Sequence, residues 1–391
     1  MNKKLIALAV AAALAPAAAM ADSGNVSIYG ILDASIDVTD NGDTADGTKQ
    51  GIRTHKVSSN SSRIGFKGNE DLGNGLAAVW QIETALNVDG GATTGGTTLG
   101  SRNTFVGLSS KTAGTVILGR HDTPYKLATR GLDYFTDGLA DNRNIMGGGG
   151  ATSTTAGPVA GSALSFDGRQ SDVVAYISPT FSGFHAAVAY VAGAELVTTS
   201  GQQKGNAWSA MGMYDNGPLM ASLAYERHKV GDANTGDAGP SWVGAGSVNR
   251  SEKAWKLGVG YKIIDALQVG FAFEKTSDDL NAGTEVFGHK AWTLGGKYSM
   301  GSNDLKLAFT KAGDQGSTSD TGAKQWALGV DHNMSKRTKV YAQYVKLNND
   351  KNAFYGLNGA GATGSVSAIG ASTLAGGADP SAWSFGMRHS F

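Results

Sequence analysis

The 391-residue chain contains no cysteine, so neither a disulfide framework nor a thiolate metal site is open to it. Proline is scarce, at 7 residues, while glycine is abundant, at 57. That combination suits many strands and tight turns better than a disordered linker. An excess of one charge is also missing: 33 Lys and Arg stand against 33 Asp and Glu, which gives no argument for nucleic acid as a partner. The seven histidines are scattered, without paired ligand spacing, so no metal and no cofactor are expected. GNGLAA (73–78) matches a dinucleotide fingerprint, but a period-two strand follows it instead of a helix, and it reads as a turn. No G-x-S-x-G is present, and the chain is expected not to be an enzyme. Beyond residue 21 no run is long and apolar enough to cross a bilayer as a helix.

Residues 1–21 read MNKKLIALAVAAALAPAAAMA: two lysines, an apolar stretch, then Ala19-Met20-Ala21 as a small-x-small cleavage site. This is the pattern of a secretory signal peptide cut before Asp22. Its removal takes away Lys3 and Lys4 and leaves 31 basic against 33 acidic residues. Residues 22–391 carry no composition break, charge run or proline-rich linker, so a single large all-β unit is expected.

What the chain does have is alternation. VSIYGILDASIDV (26–38) puts Val26, Ile28, Leu32 and Ile36 on one face and Ser27, Tyr29, Asp33 and Asp37 on the other. RIGFKG (63–68), LAAVWQIET (76–84), WKLGVGYKI (255–263) and KVYAQYVKL (339–347) repeat the pattern, and sixteen such segments can be counted. They are joined alternately by tight turns such as EDLGNG (70–75), DNGP (215–218) and MGSN (300–303), and by long polar loops such as 39–51, 86–100, 231–249 and 348–380. Short turns at one end, long loops at the other and amphipathic strands between them describe an antiparallel transmembrane β-barrel. In lipid every backbone polar group must be satisfied internally, so a sheet can span only if it closes. The apolar face then points outward and the charged face lines water.

The chain ends on WSFGMRHSF (383–391), with Trp383, Phe385, Met387 and Phe391 on one face. A closing strand cannot fray, which explains an alternating terminus. SSRIGFKGNEDLGNGLAAVWQIE (61–83), SRNTFVGLSSKTAGTVILGRHDTPY (101–125), FDGRQSDVVAYISPTFSGF (166–184) and this ending together resemble general diffusion porins of the Gram-negative outer membrane. The resemblance implies a sixteen-stranded trimeric barrel in that membrane, with the third external loop, about 121–168, folded into the lumen. It implies passive diffusion of small hydrophilic solutes and ions. It also implies contact with outer-membrane lipid and lipopolysaccharide, and recognition of the Phe391 strand by the barrel-assembly machinery. The glycine-rich stretch 147–164 is longer than the family pattern leads one to expect.

In such pores width and rings of charge set selectivity. The basic wall residues that fall on matching motif positions are Arg63, Arg102 and Arg169, with Arg120 at the start of the loop. On the loop Asp133, Asp137 and Asp141 recur every four residues, and a helical turn would stack them on one side. The expected result is a transverse field and a weak preference for anions. A substrate-specific channel, for example one selective for sugars, is the alternative.

Overall fold

The computed structural model describes residues 26–47, 50–90, 98–147, 166–192, 205–229, 250–280, 285–357 and 376–391. The expected signal peptide and all but the first residue of 147–164 lie outside them. The first half holds β1 (Val26–Asp40), β2 (Arg53–Ser59), β3 (Arg63–Gly73), β4 (Leu76–Ala85), β5 (Thr104–Ser110), β6 (Gly114–Asp122), α1 (Pro124–Arg130), β7 (Arg169–Ile177), β8 (Phe184–Val191) and β9 (Asn206–Asn216). The second half is β10 (Leu219–Lys229), β11 (Ser251–Ile264), β12 (Leu267–Asp278), β13 (Lys290–Met300), β14 (Asn303–Ala312), β15 (Ala323–Asn333), β16 (Thr338–Asn349) and β17 (Ser381–Ser390).

The seventeen strands form one antiparallel sheet, and the sheet closes: β1 pairs with β17 from Ile31↔Ser390 to Asp40↔Ser381. On its other side β1 pairs first with β3 and then with β2. These two are one interrupted strand, so the seventeen segments make a barrel of sixteen. β2 was not legible as a strand because RTHKVSS has Val57 as its only apolar residue, and after it comes the interruption, SSNSS. It is held by Asn60, whose Nδ2 donates to Ser35 Oγ and to Tyr341 Oη, each at 2.9 Å. At the terminus Phe391 and Gly30 exchange both backbone hydrogen bonds at 3.1 Å.

The faces fall as the alternation predicts. Ile28 and Ile36 are about 60% exposed, whereas Asp33 and Asp37 on the same strand are under 5%. The tightest turns use the backbone freedom that glycine supplies: Gly73, Asn74 and Gly75 all have positive φ, so β3 reverses into β4 within three residues. Exposed aromatics gather at both ends of the strands. Toward the long loops Tyr225–Trp255, Phe309–Trp326 and Tyr344–Trp383 pack in tilted pairs, with ring centroids 4.3–4.8 Å apart. Toward the short turns lie Phe181, Phe184, Tyr261, Tyr298 and Phe391. An apolar belt between two aromatic girdles is the surface a lipid bilayer selects.

Candidate functional site

The segment that follows β6 is built to pack. Thr123 caps α1, Pro124 occupies its first turn and Gly131 ends it. Beyond the helix Leu132, Phe135, Leu139, Ile145 and Met146 are buried against small residues of β12–β15, among them Ala272, Ala291, Ala308 and Ala327. The wall here is stripped of side chains: a Cβ on Gly260 would lie 2.7 Å from Leu132, and one on Gly329 2.9 Å from Phe135. Polar clasps hold the same segment. Tyr125 Oη donates to Glu274 Oε2 at 3.0 Å, Gly147 N donates to Glu274 Oε1 at 2.7 Å, and Asn144 Nδ2 donates to Gln325 Oε1 at 2.7 Å.

On its other side the segment borders a cavity of about 580 Å³. Seven basic side chains line it (Arg63, Arg102, Lys126, Arg130, Arg143, Arg169 and Arg388) against two acidic ones, Asp122 and Asp137. Two of their carboxylate partners, Asp122 and Asp137, share the lining, whereas Glu83, Asp33, Asp133 and Asp141 do not. Arg102 Nε is 2.6 Å from Glu83 Oε1, Arg169 Nη2 is 3.1 Å from Asp122 and Lys126 Nζ is 2.7 Å from Asp122. Arg388 Nη1 bridges Asp33 and Asp137 at 3.4 and 3.7 Å. Arg63 Nη1 reaches Asp137 at 3.3 Å and thereby ties the wall to the segment. With Asp133 and Asp141 included, seven cations share six carboxylates, an excess of one positive charge.

Arg63, Arg102 and Arg169 line one cavity. Arg120 does not join them. It pairs in register with Thr104, donates to Ser101 O and Ser171 Oγ, and is absent from the cavity lining. A shift of register between Gly119 and His121 turns the strand at that point. Of the three aspartates, Asp137 alone lines the cavity. No helix stacks them: Asp137 has φ 69°, and 131–141 is a run of turns. The three converge instead on Arg130, which lies 2.8 Å from Asp137, 2.8 Å from Asp141 and 3.8 Å from Asp133. Arg388 was missed because in WSFGMRHSF it reads only as the polar partner in an alternation. Glu83 and Asp122 were missed for the same reason.

Burial, then repulsion from Asp141, pushes the Asp133 carboxyl up to about 7. Asp141 is equally buried, yet Arg130 and Arg143 hold it well below the usual carboxylate range. Desolvation draws Lys126 down to about 8 against the pull of Asp122.

A closed amphipathic barrel with a charged cavity has counterparts among known proteins. A family model described as Gram-negative porin matches residues 7–353. The chain belongs to the Gram-negative porin family. The porin is 30% identical over 397 residues to outer membrane porin protein 32 of Delftia acidovorans, with both chains covered in full. It is 27% identical to an outer membrane porin protein of Bordetella pertussis, covering 88% of this chain and 93% of that one. Among solved structures the anion-selective porin from Comamonas acidovorans superposes with a TM-score of 0.73 at 25% identity, over 94% of this chain and 99% of that one. The trimer form of Vibrio cholerae OmpT shares the fold at a TM-score of 0.63 and 16% identity, over 94% and 99% of the two chains. The porin is an outer-membrane protein that forms a channel for passive diffusion.

Proposed function

We propose that the residues from about 121 to 168 fold into the lumen and narrow it, and that the channel passes small anions in mild preference to cations. One observation carries this reading: the seven basic and two acidic side chains around the cavity beside that segment. Arginine suits the task, because its planar head stays charged at any working pH and sheds water more readily than an ammonium. Four of the six carboxylates, Glu83, Asp33, Asp133 and Asp141, do not line the cavity, so a passing ion meets mainly cations. The excess of a single charge makes the preference weak. The anion selectivity named for the Comamonas acidovorans porin supports the reading, and the trimeric OmpT supports a homotrimer here. The signal peptide 1–21, a single barrel over 22–391 and assembly through the Phe391 strand complete the proposal, for a general channel and not an enzyme.

Liposome swelling with size-matched anionic, neutral and cationic solutes tests it. The anion is expected to enter fastest and the cation slowest. Saturable inhibition by one uncharged solute at low concentration would favour a substrate-specific channel instead. Native mass in mild detergent reads the trimer directly.

A further inference from the structure

Between the two ends of the segment after β6 and the barrel wall lies a group of buried ionisable side chains that ion passage does not use. His228 on β10 is fully buried. Its Nε2 lies 2.8 Å from Glu226 Oε1 and its Nδ1 2.8 Å from Glu252 Oε1. A neutral imidazole carries a single N–H. A bare ring nitrogen would set its lone pair against a carboxylate oxygen, so this geometry requires a hydrogen on both nitrogens and makes the ring an imidazolium. Among the described residues Glu226 Oε2 has no hydrogen-bond partner, so the ring is the one donor to that carboxylate.

The imidazole stacks on Phe166, with centroids 4.6 Å apart and planes 15° from parallel. Phe166 is the place where the ends of the segment meet. Its N donates to Gly147 O at 3.1 Å, its O accepts from Thr123 Oγ1 at 3.4 Å, and its ring centroid lies 5.9 Å from that of Tyr125. A cation over an aromatic face is attracted by the ring quadrupole, most strongly when desolvated. The other charged groups around this stack are Lys256 on β11, Asp167 beside Phe166 and Glu274 on β12, with Lys256 Nζ 2.6 Å from Asp167 and 3.6 Å from Glu274. Four carboxylates therefore share the site with two cations, Lys256 and the imidazolium. Taking the proton from the ring leaves one buried carboxylate without its donor and deepens the negative excess, which is costly in a buried site.

We infer that His228 is a positioning residue for the segment: protonated, it clasps Phe166 and with it both ends of the segment to the wall, and on losing its proton it lets them go. The inference rests on the reading that the segment narrows the lumen. When the clasp opens, the segment shifts and the ionic current is interrupted.

Two readouts test this on the folded porin. A 4-fluorophenylalanine placed at Phe166 reports the stack through its fluorine resonance, and single channels in a planar bilayer report interruptions of the current. Between about pH 6 and about pH 11 the wild type is expected to lose the stacked resonance and to show interruptions about tenfold more often per pH unit, the slope of one released proton. Lys126, drawn down to about 8, alters the charge of the cavity in the same range, so interruptions are counted and ion preference is not. Glu226→Gln offers an amide donor to Nε2, which lets a neutral ring keep both contacts; it is expected to hold the stack and a quiet current throughout. His228→Gln has no ring to stack and should show frequent interruptions already at neutral pH. A wild-type resonance that stays stacked over the whole range overturns the inference, and so does an alkaline change that Glu226→Gln fails to suppress. A resonance that changes while the current stays quiet upholds the clasp and refutes instead the narrowing of the lumen by this segment.

Discussion

The inward wall of this barrel has two halves, and they contrast sharply. From β11 to β15 it carries glycine and alanine where Leu132, Tyr134 and Phe135 lie against it. Around β3, β7 and β17 it carries arginines that border open space. One half is a seat and the other a charged surface. The segment after β6 needs both, since the seat fixes where Asp137 meets Arg63 and Arg388. Side-chain volume, more than charge, distinguishes the part of the wall that the segment covers.

The most severe way to break this contrast is to fill the seat. A Cβ on Gly258 would meet Leu132 and Thr129 at 2.8 Å, and one on Gly270 would meet the Leu132 carbonyl oxygen at 3.0 Å. Gly258→Leu with Gly270→Leu should cost about 1–3 kcal/mol per site by overpacking. The segment is then displaced, unit conductance rises and ion preference falls. Unchanged conductance would mean that the segment does not depend on this bed.

Removing charge from the other half has the next largest effect. Arg63→Gln, Arg102→Gln and Arg388→Gln together turn an excess of one positive charge into a deficit of two. The zero-current potential should then change sign toward potassium, with little change in conductance.

Much of this was readable beforehand, and the failures are informative. Strand faces, turns and closure follow from period-two alternation, which the bilayer enforces along every strand. β2 escaped because Val57 is its only apolar residue. The spacing of Asp133, Asp137 and Asp141 suggested one helical face, but the left-handed backbone at Asp137 turns the chain so that the three surround Arg130. Spacing within a segment could not show that the acids would be bound by a cation of that same segment. The glycine and alanine seat was present in the sequence without a signal, since a small residue on an inward face means nothing until its neighbour is known.

A smaller effect comes with pH. The Asp133 carboxyl titrates near 7. Its negative charge is present above that value and lost as pH falls through it, leaving two excess positive charges in place of one. The preference for chloride should therefore strengthen between about pH 8 and pH 6. Asp133→Asn should hold it at the low-pH value throughout, and a wild type indifferent to pH would contradict the assignment. The smallest effect is expected from Arg120→Gln, which removes a cation outside the cavity. Its zero-current potential should match that of the wild type; a shift as large as that of Arg63→Gln would place Arg120 in the ion path.

The most direct measurement is the zero-current potential of the purified, refolded porin in a planar bilayer under a tenfold KCl gradient. The account predicts stepwise conductance with a small potential of the sign that favours chloride. A potential favouring potassium would contradict it, and would mean that the carboxylates paired with the arginines, more than the arginines themselves, govern which ions pass.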